Sequence, residues 1–232
     1  MLMDIFSSFD EQNFTIFSNL HLIWLVGAFP IYFIQSSYWS STSRWNVLVN
    51  KPKSFMINQA TRTAGKNLGG FNNVIVSIFM TLIVMNLLGL SPYVFSATSH
   101  LVFAISFGLP FWLALIISGL LFNFKAVLAH FLPSGAPAVL NPFLVLVETV
   151  SISVRPITLS IRLTANMSAG HIILGLIGAY LSSGMFSYSF IIIMLLIFIE
   201  IFYFMFEVGV SLIQAYIFSL LITLYSEDHP MP

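Results

Sequence analysis

Cysteine is absent from the 232-residue chain. That excludes disulfides, thiolate metal sites, iron–sulfur ligation and cysteine nucleophiles together. Charge is almost as scarce: Asp, Glu, Lys and Arg make up 7% of the sequence, against about 25% in soluble chains. A soluble fold of this size would lack the polar groups to cover its surface. Eight basic and eight acidic residues cancel to a net charge of zero, so there is no basic field for nucleic acid, and polynucleotide binding is not expected. Enzyme motifs are missing too. Gly65-Lys66 is followed by Asn67, and position 60 is Ala, so it is no phosphate loop; neither H-E-x-x-H nor G-x-S-x-G occurs. His21, His100, His130 and His171 fall one to a segment, which does not supply the imidazole pair of a bis-histidine haem. No catalytic residue, cofactor or metal is expected.

What the chain does have is apolar length. Hydrophobic residues make up 58% of it, enough for five or six spans of roughly 20 residues. Residues 1–14 form a tail with Asp4, Asp10 and Glu11 and no basic cluster, unlike a secretory signal or an Arg-rich transit peptide. Such a chain is expected to be made inside an organelle or to be bacterial. A first span is expected over residues 15–37, with Pro30 as a kink. Residues 38–73 hold Arg44, Lys51, Lys53, Arg62 and Lys66, with Trp39 and Trp45 beside them. This is the composition of an interfacial, partly amphipathic segment on the positive-inside face. Spans follow at 74–90, closed by Ser91-Pro92, and at 101–124, with Pro110 inside it. Lys125 and Leu132 to Pro137 are expected to form a loop on the basic side, with His130 in it. The Ser182-Ser183-Gly184 turn then joins two long apolar segments, 138–181 and 188–225. Counted from the acidic tail, this is a single all-α integral membrane domain with about five crossings. No internal repeat supports an inverted-repeat transporter.

The last two segments are too long to stand upright. As helices of 38 to 44 residues they measure roughly 57–66 Å at about 1.5 Å per residue, against a hydrocarbon core of about 30 Å. They are expected to tilt or bend as an antiparallel hairpin, with Pro142 and Pro156 assisting in the first. They also carry the costly residues: Glu148, Arg155, Arg162, Asn166 and His171 in the first, Glu200, Glu207 and Gln214 in the second. An ionised group at mid-bilayer costs at least about 2.5–3.5 kcal/mol, so each either pairs with a neighbour to fix packing or marks function. Spacing favours function. Glu148, Arg155 and Arg162 are seven apart, as are Glu200, Glu207 and Gln214, and seven residues is close to two turns, so each set lines one helix face. With Arg162 opposite Gln214 in an antiparallel register, His171 faces Met205, within a turn of Glu207, whereas Glu200 faces Leu176. Glu and His exchange protons near neutrality when their surroundings shift them, whereas Arg keeps its charge. The seam therefore suits proton passage with a fixed cation in its path. An ion-coupled secondary transporter, a proton-pumping subunit of a respiratory complex and a purely structural membrane subunit stand as alternatives at this level.

Four stretches carry a resemblance. Ser160-Ile161-Arg162-Leu163-Thr164-Ala165-Asn166-Met167-Ser168-Ala169-Gly170-His171 resembles the signature helix of subunit a of F-type ATP synthases. Glu207-Val208-Gly209-Val210-Ser211-Leu212-Ile213-Gln214-Ala215-Tyr216-Ile217-Phe218 resembles the last helix of that family. Asn86 to Pro92 and Ala129-His130-Phe131-Leu132-Pro133 fit it as well. The resemblance implies a non-catalytic, proton-translocating stator subunit of the Fo part. It packs against a ring of small proton-binding subunits, beside peripheral-stalk and other small Fo subunits, with the F1 head coupled indirectly. By the same resemblance Arg162 separates two half-channels, with Asn166 and Gln214 as its polar neighbours. His171 and Glu207 form the acid–imidazole pair of the inlet, and Glu148 lies on the matrix-side outlet. Arg155 is a possible accessory residue. Glu200 either extends the inlet or meets water near the membrane face. His after Ala-Gly resembles the mitochondrial branch, which implies the mitochondrial inner membrane, a bacterial plasma membrane being the other address.

In that setting Arg44 to Lys66 are expected on the matrix side and the N-terminus in the intermembrane space. Because the chain has no cysteine of its own, single cysteines near residues 8 and 60 are expected to react with an impermeant thiol reagent from opposite sides. Equal labelling of both from one side would overturn the orientation.

Overall fold

The structure is a computed structural model and describes Phe9 and residues 44–63, 65, 69–91, 94–131, 140–184 and 188–227. The expected first span at 15–37, most of the acidic tail, Trp39, Lys66, the 132–137 loop and the side chains of Trp45 and His130 lie outside the described residues. Among the described residues the elements are α1 (Arg44–Ala60), α2 (Phe71–Gly89), a 3-10 turn (Ala97–Ser99), α3 (Leu101–Phe122), α4 (Phe124–His130), α5 (Asn141–Gly184) and α6 (Phe190–Tyr225). The chain is an all-α membrane protein: α2, α3, α5 and α6 are each long and apolar enough to cross a bilayer. In lipid a helix satisfies every backbone group within itself, which is why β-branched runs such as Ile191-Ile192-Ile193 are helical here despite their propensity. The hydroxyls obey the same rule. Ser77, Ser106, Ser118, Thr149 and Ser153 each donate to the carbonyl three residues earlier, at 2.7 to 2.9 Å. A polar side chain thus faces an apolar surface with its hydrogen bond already made.

Two expected loops are helical. Lys125 lies in the first turn of α4, and His130 ends that helix. The break falls at Asn123, which is extended (φ −153°, ψ 91°), and its side chain accepts from Ala126 N at 3.3 Å, capping α4. The expected Ser182-Ser183-Gly184 turn is the last turn of α5. The hydroxyls of Ser182 and Ser183 donate to the carbonyls of Ala179 and Tyr180, which lets the helix absorb both serines. With 44 and 36 residues, α5 and α6 extend roughly 66 and 54 Å at about 1.5 Å per residue. Pro156 removes one backbone donor inside α5.

The chain falls into two compact units. One gathers the described residues of Thr81–His100 and Leu163–Ala215, with Phe9. Within it, Asn166 bonds Gln214 and Gly184 accepts from Tyr188 N, so these parts of α5 and α6 run antiparallel. The other unit gathers the described residues of Thr42–Met80, Leu101–Arg162 and Tyr216–Pro232. There α1, too polar to span, lies on the end of α6: Phe55 and Tyr216 are 5.6 Å apart between ring centroids, and Ser219 Oγ donates to Met56 Sδ at 3.7 Å. Met56 and Ala60, one turn apart, are fully buried, whereas Arg44 and Lys51 are exposed. The basic segment thus has one apolar edge held by its own chain and a charged edge left for headgroups.

Gly108 is the close-approach point of this second unit. A Cβ there would lie 3.6 Å from Leu159, 3.7 Å from the Pro156 carbonyl and 3.9 Å from Phe218, so one methyl group fits and a larger side chain does not. Gly108→Ala is expected to leave membrane insertion and complex assembly near normal. Gly108→Leu should cost about 1–3 kcal/mol by overpacking and lower the amount of assembled complex on native gels. Equal yields for the two variants would show that α3 does not pack here.

Candidate functional site

The polar residues sort by helix face. On α5 the inward stripe is Pro156, Leu159, Ser160, Leu163, Thr164, Met167 and Gly170, all buried at helical spacing. On α6 it is Glu207, Ser211, Gln214, Ala215, Phe218, Ser219, Ile222 and Thr223. The second stripe is mostly small or polar, while the outer face of α6 is apolar: Phe190, Ile191, Phe198, Phe202 and Met205 are all exposed.

In the first unit the centre is Glu207, only 3% exposed. Its carboxylate packs directly against Gly170, where any Cβ would collide with it, so the glycine before His171 makes room for the acid. Tyr203, one turn earlier on α6, donates its hydroxyl to Glu207 Oε1 at 2.7 Å. Glu207 Oε2 is buried without a hydrogen-bond partner among the described residues, as is His171 Nε2. A Cβ on Gly89, at the end of α2, would lie 3.9 Å from that nitrogen. Phe9 meets the His171 ring edge-on at 6.2 Å. Two open polar atoms, one on an acid and one on an imidazole, are an arrangement that takes water or a proton. Further along the seam Asn166 Nδ2 donates to Gln214 Oε1 at 3.0 Å. Asn86 Nδ2 donates to the Ser211 carbonyl at 3.2 Å, tying α2 to α6 at the level between Glu207 and Gln214.

The second unit holds the other charges. Arg155 Nη2 lies 3.6 Å from Glu148 Oε1, both about one-third exposed, two turns apart on α5 as their spacing implies. The Arg155 guanidinium also sits over the Tyr225 ring, 5.5 Å from its centroid. Arg162 stands on the exposed face of α5 rather than inside the chain, and among the described residues it makes no ion pair or hydrogen bond. Glu200 is half-buried on α6, and no group of metal-ligating residues forms among the described residues.

Sequence reasoning singled out Glu148, Arg155, Arg162, Asn166, His171, Glu200, Glu207 and Gln214. The structure brings Glu148 to Arg155, Asn166 to Gln214, and Glu207 to the residue preceding His171. Gln214 takes Asn166 as its partner, one helical turn from the register that set it opposite Arg162. Tyr203, Tyr225, Asn86 and Gly170 were missed. For Tyr203 the signal was present: it stands four residues before an intramembrane acid, the spacing at which side chains on one helix meet.

The family model described as ATP synthase A chain matches residues 16–227. Proteins named ATP synthase subunit a align over 229 residues, 98% of this chain and 99% of each relative. Identity is 37% for that of Aedes aegypti, 38% for that of Locusta migratoria and 37% for that of Drosophila melanogaster. With a family match across nearly its whole length and relatives above one-third identity, the chain belongs to the ATP synthase A chain family.

Proposed function

We infer that this chain is the non-catalytic, proton-conducting stator subunit of a membrane-embedded rotary ATP synthase of the mitochondrial inner membrane. In this reading it offers two offset half-channels to a ring of small subunits, each bearing a carboxylate. Protons reach Glu207 and His171 through the inlet, pass to a ring carboxylate, and leave past Glu148 on the matrix side. Asn166 and Gln214 keep the seam polar at the level where the proton leaves the chain. The family match supports the setting; the chemistry of the polar residues supports the path.

The observation that carries the reading is Arg162. It is a permanent cation near the middle of α5, exposed and without an internal partner among the described residues. Facing hydrocarbon it would cost at least about 2.5–3.5 kcal/mol, so an anionic group from beyond the described residues is needed to meet it. A passing ring carboxylate answers that need. The face around Arg162 supports close approach: Ser151, Thr158, Ala165 and Ala169 are small and exposed, which lets a second helix come near. Arg cannot surrender its proton, so it blocks direct leakage between the half-channels while attracting each arriving carboxylate.

Arg162→Ala is expected to bring ATP-driven proton pumping and proton-driven synthesis below about a tenth of normal, a change that 1.4 kcal/mol of barrier produces, with the complex still assembled. Arg162→Lys should recover little, lacking the planar fork and losing its proton when desolvated. Near-normal rates in Arg162→Ala would refute the half-channel reading.

The acids rank by burial. Glu207→Gln removes the proton acceptor at the buried centre and should slow synthesis far more than Glu200→Gln. Measured in the same membrane vesicles, a greater loss in Glu200→Gln would reverse the ranking.

A further inference from the structure

Glu207 is buried, and a proton from the aqueous side needs a route to it. The N-terminal half of α6, from Phe190 to Phe206, is otherwise an apolar run whose outer side chains are exposed. Two residues in it carry exchangeable protons: Glu200 and Tyr203. Positions 200, 203 and 207 are three and four residues apart, so they share one face of the helix. At about 1.5 Å per residue they rise in steps of roughly 4.5 and 6 Å. The second step is closed by the hydrogen bond from the Tyr203 hydroxyl to Glu207 Oε1 at 2.7 Å. Tyr203 and Glu200 are both half-buried, while Glu207 is not accessible. Exposure therefore falls along the face toward the acid.

We propose that Tyr203 is a proton-relay residue, fed from the side of Glu200, which delivers protons to Glu207; the inference rests on Glu207 being the inlet acid. A phenol accepts and donates at one oxygen. An incoming proton, on a water or on Glu200, binds the Tyr203 oxygen as that oxygen's own hydrogen moves to Glu207 Oε1. One O–H bond forms and another breaks, the phenol ends neutral, and the carboxylate becomes a carboxylic acid. Rotation about the C–O bond resets the hydroxyl after Glu207 passes its proton on. The groups facing Glu207 leave this role open. On α5, Gly170 offers only backbone, and the Nε2 of the neighbouring His171 is buried without a hydrogen bond to Glu207 or to any other described residue. The helix α2 contributes Asn86, which is not titratable and is engaged with the Ser211 carbonyl.

The test uses whole ATP synthase in native membrane vesicles, with synthesis driven by an imposed proton gradient and assembly checked through ATP hydrolysis by the head. Tyr203→Phe deletes only the hydroxyl. It is expected to lower the rate roughly tenfold and to increase the ratio of rates in H2O and D2O, because proton delivery becomes limiting. Tyr203→His restores a relaying group and should recover part of the rate. Glu200→Gln should give a smaller loss that is not compounded when combined with Tyr203→Phe. Normal rates in Tyr203→Phe beside an inactive Glu207→Gln would overturn the relay and leave the inlet acid in place. An equal loss in the Phe and His variants would reduce Tyr203 to a packing residue and likewise overturn it. Near-normal synthesis in Glu207→Gln would instead remove the reading on which the relay rests.

Discussion

No polar atom in hydrocarbon has water to fall back on, and this requirement shapes every element of the chain. It is answered in two ways, with Asn86 Oδ1, His171 Nε2 and Glu207 Oε2 left buried without a hydrogen bond among the described residues. Hydroxyls on outward faces bond their own helix carbonyls, as Ser106 and Ser153 do. Groups that cannot do so, such as the amides of Asn86 and Gln214 and the carboxylate of Glu207, are gathered on the inward stripes of α5 and α6 or against them. Along α6 the result reverses the order of a soluble protein, with apolar residues outside and mostly small or polar ones within.

The two clusters of charge meet this requirement by different chemistry. Glu148 and Arg155 neutralise each other, and the Tyr225 ring covers the guanidinium. Since Tyr225 is the last residue of α6, the cation lies near a helix C-terminus, where the macrodipole favours positive charge by about 0.3–1 kcal/mol. Among the described residues Glu207 meets no cation; it has one phenol hydroxyl and one open oxygen. A carboxyl held by a single neutral donor, with its second oxygen free, can take up a proton without first breaking an ion pair.

Much of this was legible in the sequence, and the failures have physical causes. The four described spans were plain from length and apolarity, and the seven-residue spacing placed Glu148 beside Arg155. The expected turn at Ser182-Ser183-Gly184 failed because serines that mark loops in water are absorbed into a helix where they bond backward to carbonyls. The break at Asn123 carried a readable sign, a capping Asn before a helix-forming run, but it was hidden by the unbroken hydropathy of the segment. Tyr203 was lost among Phe198, Phe202, Phe204 and Phe206, since composition does not separate a lipid-facing ring from one whose hydroxyl serves an acid. The inward stripe of α6 was only half visible. Its Glu and Gln stood out, but Ser211, Ser219 and Thr223 give weak signals in any hydropathy reading.

Arg162 shows how much turns on one residue of register. Its neighbours Leu163 and Leu159 are buried on the inward stripe, and successive residues on a helix are rotated by about 100°. An arginine at position 163 or 159 would enter the packed interior, where it would need a permanent anion beside it. Such a pair resists breaking, since separating buried partners costs several kcal/mol, and a locked pair cannot exchange one carboxylate for the next. One position away, the same cation stands on the outward face, without an internal ion pair among the described residues and flanked by small residues. In the proposed reading its anionic partner comes from a neighbouring subunit, and it can be replaced. In the proposed reading a rotary exchange requires a fixed charge whose counterion is external and renewable, and the helical phase of a single arginine is suited to that requirement.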